Sequence, residues 1–350
     1  MIELIKESVC LIKPYNVLKE EIDIKLDANE NPFNIFEFLK EKFIKKISNL
    51  DMNRYPDTDS ERLRMAFAKH VDVQEENILC ANGSDEIIQM IINAFVDKDE
   101  YVITHSPTFS MYKIFTTIVG GKVMEVSSEL SLEIDVEEII KEANTKKAKV
   151  VFLCNPNNPT GTVIPREDII RVIEETKAIV VVDEAYYEFL GQSVVGLIND
   201  YDRLIVLRTL SKAFALAGAR VGYAIASEKM MDVLYRVKAP YNLNIFSQIA
   251  AELFVENIDL INVYLKKIIE EREYLLEALK KMDDMKTFPT GSNFILIKSA
   301  KAREILATCR KEGISLRNFG EDGLLKDCIR ITVGTREENN KVINLLKDVV

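Results

Sequence analysis

The sequence has no tryptophan, two histidines, five cysteines and no excess of positive charge in 350 residues. Each shortage excludes something. Two histidines, His70 and His105, leave little material for a histidine-built metal site or a Ser-His-Asp relay. The five cysteines (Cys10, Cys80, Cys154, Cys309, Cys328) are odd in number and lack C-x-x-C spacing. Most lie in apolar stretches, so they are expected to be buried free thiols of a reducing compartment. Lysine and arginine number 46 against 56 acidic residues, a net charge of −10. A nucleic-acid partner is therefore not expected, because phosphate backbones need a basic surface. An anionic small molecule would have to find a local cationic pocket. Long apolar runs are also missing. Segments such as 178–182 and 204–207 are strand-length and too short to span a bilayer. The first twenty residues carry acids and no signal-peptide core, so the expectation is a cytoplasmic protein without membrane association.

What is present is ordinary globular material, 47% hydrophobic and 29% charged. The length exceeds what one core usually fills, so two lobes are expected. Short apolar runs at 101–104, 122–126, 149–154, 178–182, 203–207 and 221–226 read as strands. They alternate with helical patterns at 87–95, 109–118 and 166–177. That alternation predicts an α/β fold whose mainly parallel central sheet is covered by helices on both faces. Beyond it, one long helical stretch is expected at 244–282. Strands at 294–298 and 328–333 and helices at 302–312 and 337–349 follow, the last opened by a Thr335/Glu338 capping box. These form a smaller α+β domain. The chain divides into an N-terminal arm belonging to the small domain (1–40), a large domain (41–260) and the small domain proper (261–350).

The segment Arg208 to Gly222 reads RTLSKAFALAGARVG, directly after an apolar strand. Ligands of open α/β sheets bind at the carboxyl ends of strands. Lys212 stands there, between the hydroxyls of Thr209 and Ser211 and an apolar run. Desolvation and a nearby cation, for which Arg220 is a candidate, would lower its pKa as imine chemistry requires. Taken alone, a surface lysine explains it as well. Other segments supply what a pyridoxal phosphate cofactor needs: an acid for the ring nitrogen and a nest for the phosphate. Asp183 follows the strand at 178–182 and can pair with a pyridinium or simply be the N-cap of a following helix. Tyr186 and Asn158 can bond the ring oxygen, and Phe109 can stack on the ring. Gly83, Ser84 and Asp85 open a helix, whose positive end suits phosphate. The Asp85 backbone N–H would serve there, with its carboxylate turned away as a cap. Thr209, Ser211 and Arg220 would complete the nest.

These segments make the chain resemble the fold-type I aminotransferases of the aspartate aminotransferase superfamily, and within it the branch that acts on histidinol phosphate. The resemblance covers nearly the whole chain. It is carried by Asp27-Ala28-Asn29-Glu30-Asn31-Pro32, Arg54-Tyr55-Pro56, Asn82-Gly83-Ser84-Asp85-Glu86, Asn157-Asn158-Pro159-Thr160-Gly161, Asp183-Glu184-Ala185-Tyr186, the lysine loop, and the run from Cys328 through Arg330 to Arg336. It implies that Lys212 holds pyridoxal 5′-phosphate as a Schiff base and moves the proton, and that Asp183 pairs with the ring nitrogen. It also implies that Asn158 and Tyr186 contact the ring oxygen, and that Ser84, Ser211 and Arg220 hold the phosphate. Tyr55 is implied to reach that phosphate from a neighbouring subunit of a homodimer with shared sites. Phe109 stands where relatives often carry tyrosine, which keeps stacking and loses a hydroxyl.

The resemblance further implies that Arg330 and Arg317, with Tyr15, hold the substrate's phosphate, and that Asn29 lines the substrate site. Asn293, just before the strand at 294–298, can line it too or simply bond the strand start. Two arginines suit a dianion better than one. The implied reaction exchanges an amino group between histidinol phosphate and 2-oxoglutarate, giving imidazole-acetol phosphate and glutamate. An aromatic aminotransferase or a threonine-phosphate decarboxylase would look similar on this fold. A regulator that binds the cofactor without turnover is the alternative of another class.

Overall fold

The computed structural model describes residues 4–10, 12, 22–128 and 131–349. Two sheets organise it. The strands are β1 (Ile24–Leu26), β2 (Ile78–Ala81), β3 (Tyr101–Ser106), β4 (Lys122–Ser127), β5 (Val150–Cys154), β6 (Ile179–Asp183), β7 (Leu204–Thr209), β8 (Gly222–Ala226), β9 (Lys286–Thr287), β10 (Phe294–Lys298), β11 (Ile314–Asn318) and β12 (Cys328–Thr332). The larger sheet runs β2-β8-β7-β6-β5-β3-β4, and the smaller β1-β11-β12-β10-β9.

The central strands are apolar without interruption because both faces are covered. All five residues of β5 and of β8 are buried. Successive residues point to opposite faces. Phe152, Val181, Leu207 and Ala224 pack on one side, the front, against Ile87, Ile88 and Ile91 of helix Ser84–Phe95. Val151, Val182, Val206 and Tyr223 pack on the back, against Phe67, Ile169 and Phe254. The α/β class and the mainly parallel sheet are as expected.

Three features differ from the sequence reading. β8 pairs antiparallel with both β7 and β2, so it runs against the rest of the sheet. β2, with only four residues, carries too short an apolar run to stand out from its flanks, yet it delivers the turn at Gly83. The stretch at 244–282 is two helices, Ile245–Glu256 and Ile258–Leu279. Asn257 interrupts it with φ −114° and ψ 39°, and its side chain donates to Leu253 O at 2.7 Å. Asparagine competes for backbone partners in this way and breaks helices.

The small sheet has its own core, with Leu26, Ile295, Ile297, Ile329 and Ile331 against Leu275, Leu279 and Leu346. Its last helix, Arg336–Val349, opens on the expected reciprocal cap: Glu338 N donates to Thr335 Oγ1 at 3.3 Å, and Thr335 N to Glu338 Oε2 at 2.7 Å. β1 extends this sheet parallel to β11. The chain after β1 then stitches the two sheets together. Asn29, buried and left-handed at φ 55°, donates from its backbone N to Thr332 Oγ1 at 3.0 Å and from Nδ2 to Tyr186 Oη at 2.9 Å. Asparagine tolerates that conformation better than most residues. Four cysteines (Cys80, Cys154, Cys309, Cys328) are buried free thiols as expected, while Cys10 is exposed. No helix among the described residues is long and apolar enough to cross a membrane.

Candidate active site

The carboxyl ends of β5, β6 and β7 converge under the arm. Lys212 sits in the turn after β7. Its Nζ donates to Ala28 O at 3.0 Å and lies 5.8 Å from the centre of the Tyr186 ring. Burial pushes the amine down to about 8, helped by the positive charge of Arg330 and, more weakly, of Arg220, with Glu30 opposing. The cation expected from the sequence was Arg220. Arg330, from the other sheet, is the stronger influence, which no local spacing could reveal.

Asp183 closes β6 on the front face and is buried. Its Oδ1 accepts from Ala185 N at 3.1 Å, a bond within the turn. The next helix, Tyr187–Leu190, starts from Tyr186 with no side-chain cap, so Asp183 is not a helix N-cap. Its Oδ2 accepts from Tyr112 Oη at 2.7 Å. Burial raises this carboxyl to about 6, and the bonds from Tyr112 and the Ala185 amide hold it back. A buried carboxylate with only neutral donors is ready to gain from a cation brought beside it.

Tyr112 is a residue the sequence reading missed. It is fully buried in helix Met111–Ile118 and lies flat on Phe152, centroids 4.5 Å apart at 9°. Its only signal was position, one helical turn after Phe109. Removing its hydroxyl deletes a bond to the charged form of Asp183. Such bonds contribute about 1.5–3 kcal/mol, which corresponds to roughly one to two pH units. In Tyr112→Phe the Asp183 carboxyl band, followed by infrared difference spectroscopy, should therefore persist to a pH at least about one unit higher. An unchanged titration would exclude any hold of Tyr112 on Asp183.

The anion nest forms where the β2 turn meets the lysine loop. Gly83 precedes helix Ser84–Phe95, and no side chain caps that helix start. A Cβ on Gly83, at φ 84°, would stand 2.6 Å from Arg220 Nη2, and one on Gly222 would stand 2.4 Å from Ser84 N. The turn is thus pressed against Arg220 and β8 as only glycine allows. Thr209 Oγ1 donates to Ser211 Oγ at 3.0 Å, and Arg220 Nη1 donates to the same Ser211 oxygen at 3.3 Å. Asp85 corrects the sequence reading. Its carboxylate is not turned away but pairs with Arg220 Nη2 at 3.2 Å. With the guanidinium this close, a pair is more favourable than a solvated cap, and an incoming phosphate would compete for the same group.

From the small sheet come the arginines. Arg317 on β11 and Arg330 on β12 are direct cross-strand partners, so their side chains share a face. Arg317 is half-buried and lies in a strand. Arg330 is buried, donates to Asn158 Oδ1 and to Asp27 O, and lies 5.3 Å from the centre of the Phe294 ring. Asn158 is thereby drawn to Arg330. Asn293 is buried and donates to Asn29 O at 3.1 Å. Phe109 is half-buried, edge-on to Tyr112 at 5.7 Å. Tyr55 stands outward, 80% exposed, with its ring stacked on Tyr241 at 4.4 Å. Tyr15 lies outside the described residues.

Comparison with known proteins places this geometry. The model of the family described as aminotransferase class I and II matches residues 21–346. The histidinol-phosphate aminotransferase of Clostridium novyi (strain NT) is 43% identical over 345 residues, 99% of this chain and 97% of that protein. A solved histidinol-phosphate aminotransferase from Clostridium acetobutylicum superposes with a TM-score of 0.83 at 27% identity, covering 93% of this chain and 98% of that one. The enzyme of the same name from Sinorhizobium meliloti, solved in complex with pyridoxal-5′-phosphate, has the same fold, with a TM-score of 0.85 at 24% identity over 94% of this chain and 91% of that one.

Proposed function

Because this chain belongs to the class I and II aminotransferase family, we propose that it transfers the amino group of L-histidinol phosphate to 2-oxoglutarate, as a step of histidine biosynthesis. The observation that carries the reading is the cross-strand pair Arg317 and Arg330, set on the same side as an amine of lowered pKa. Two guanidinium groups on one face match a phosphate dianion, and the same pair serves the carboxylates of 2-oxoglutarate or glutamate when the second substrate takes its turn.

The residues fit pyridoxal 5′-phosphate. A buried amine, a buried carboxylate and a glycine-walled nest beside an arginine are what such a group requires. When bound, the cofactor supplies an electron sink for the bond broken at the amine-bearing carbon. Lys212 Nζ holds it, and once released moves the proton of that carbon. Asp183 carries the negative charge that keeps a ring nitrogen protonated, with Tyr112 fixing which carboxylate oxygen faces inward. Gly83, Ser84, Asp85 through its backbone N–H, Thr209, Ser211 and Arg220 receive the cofactor phosphate. For Arg220 this means loosening the Asp85 pair. Asn158 and Tyr186 orient the ring oxygen, and Phe109 covers the ring face. Arg330, Arg317 and Tyr15 bind the substrate phosphate, while Asn29 and Asn293 hold the arm over it. The exposed Tyr55 fits a homodimer in which it reaches the neighbour's nest. The arm (1–40) and the segments 41–260 and 261–350 would act as the parts that close on the substrate.

The decisive experiment compares kcat/KM for histidinol phosphate with that for phenylalanine and threonine phosphate, in wild type and in Arg317→Ala. Losing one half-buried member of a charged clamp should lower kcat/KM for histidinol phosphate by about 10- to 100-fold and for phenylalanine much less. Preference for phenylalanine, or carbon dioxide released from threonine phosphate, would replace this reading with an aromatic aminotransferase or a decarboxylase.

A further inference from the structure

Behind the site, on the opposite face of the large sheet, lies a buried charged pair that none of the roles above uses. Glu184 follows Asp183, and Arg208 precedes Thr209. Since neighbours along a strand face opposite sides, Asp183 and Thr209 point to the front while Glu184 and Arg208 point to the back. Both are almost wholly buried, with side chains 2% and 4% exposed. Arg208 Nε and Nη2 both donate to Glu184 Oε2, at 3.1 and 2.9 Å. The pair is closed on every side. Ser193 Oγ donates to Glu184 Oε2 at 2.8 Å and accepts from Arg208 Nη2 at 2.8 Å, and Val194 N donates to Glu184 Oε1 at 2.8 Å. The guanidinium lies 3.4 Å from the centre of the Tyr187 ring.

We propose that Arg208 and Glu184 are positioning residues: a back-face ion pair that fixes the separation of the β6 and β7 ends, and through it the placement of Asp183 relative to Lys212. The geometry supports this at three points. Glu184 N donates to Leu207 O at 2.9 Å, so the backbone ladder and the ion pair grip the two strand ends at the same level. Thr209, next to Arg208, stands in register with Gly222, whose Cα lies against the Gly83 turn. A shift of the β7 end would therefore move Lys212 and the anion nest together. Thirdly, a buried ion pair is an expensive way to obtain stability, since well-packed apolar residues of similar size do as well or better. Its value here lies in direction and fixed length.

The titratable groups facing the pair add no charge to it at neutral pH. Burial pushes the Glu188 carboxyl up to about 8 and the Tyr223 phenol up to about 12. Burial and the charge of Arg208 push His70 down. Tyr187 is pushed up by burial. All four are neutral near pH 7, so the clamp does not loosen through them in that range.

This rests on the proposed roles of Lys212 and Asp183, but its test does not need turnover. The variant Arg208→Met/Glu184→Leu replaces the pair by apolar side chains. In cofactor-free protein, the pH dependence of Lys212 capture by a small aldehyde and borohydride is read by mass spectrometry. In cofactor-loaded protein, the pH titration of the bound chromophore and the steady-state constants are read. The melting temperature should stay within a few degrees of wild type. Both pH profiles should move, and kcat should fall about 10- to 100-fold, as for displaced reacting groups, with KM changed less than about threefold. A folded double variant with wild-type profiles and kcat overturns the proposal. Should the double variant not fold, Arg208→Lys is read the same way. It keeps the charge and loses the bidentate grip and the stack on Tyr187, so unchanged profiles there overturn the proposal equally. If wild type bound no cofactor, the functional reading would fail, while the Lys212 capture profile would still decide the clamp.

Discussion

Lys212→Ala is expected to abolish the visible absorbance of bound pyridoxal phosphate and to lower turnover by about 10²- to 10⁴-fold, the size of losing a positioned proton-transfer group. The argument rests on the state of the amine. Only a neutral amine condenses with an aldehyde, and an ordinary lysine at pH 7 is almost entirely protonated. With its amine pushed down to about 8, Lys212 has roughly 300-fold more neutral form at pH 7 than a lysine at its ordinary value. The direction of the pH dependence follows. Cofactor capture by the empty protein should speed up about tenfold from pH 6 to 7, about fivefold from 7 to 8, and level off above about 9. Stopped-flow absorbance measures this directly. A profile still rising steeply through pH 10 would mean that the amine is not desolvated, and retained turnover in Lys212→Ala would end the assignment of Lys212. Because Arg330 contributes to the lowering, Arg330→Gln should move the capture midpoint upward. That outcome would tie the substrate arginine to the chemistry of the amine.

The second large effect is expected at Asp183→Asn. The amide keeps the shape: its oxygen can accept from Ala185 N and its NH2 can donate to the Tyr112 hydroxyl, so the protein should fold. It cannot carry charge. The loss of a buried counter-charge aimed at the reacting group costs about 10²- to 10³-fold in related cases of electrostatic catalysis, and kcat should fall by that amount. The cofactor should still be held by Lys212 and the nest, so absorbance remains while turnover goes. Turnover within about threefold of wild type would remove Asp183 from the mechanism. In wild type, the carboxyl stands raised to about 6 by burial before any cation is present. A pyridinium beside it would favour its ionised form and lower that value, so the infrared carboxyl band should shift to lower pH on loading with cofactor. The Tyr112→Phe variant should show the opposite displacement.

Much of this was legible in the chain. Lys212 and Asp183 stand at the ends of apolar runs bounded by turn residues, which mark strands in any sequence, and the Gly-Ser turn at Gly83 announces itself by the helical pattern it opens. The fold class and the Thr335/Glu338 cap came through for the same reason: their causes are local. What escaped reading was non-local. Tyr112 looks like a core aromatic of an amphipathic helix until that helix is laid against β6. Asp85 reads as a helix cap until Arg220, 135 residues away, is folded beside it. The break at Asn257 was local yet ambiguous, because a single asparagine fits a helix interior as well as a kink.

By itself, the order of residues determined which groups exist and which strand end or turn carries each one. Alternation of polar and apolar residues decides local conformation over a few positions, and that information is contiguous. Tertiary structure alone decided the company each group keeps. It brought Arg330 of the small sheet within the field of Lys212, set Arg317 and Arg330 in register, and buried Glu184 against Arg208 behind the site. Those meetings depend on strand register and on the packing of two sheets, where desolvation and charge act through space and take no account of distance along the chain.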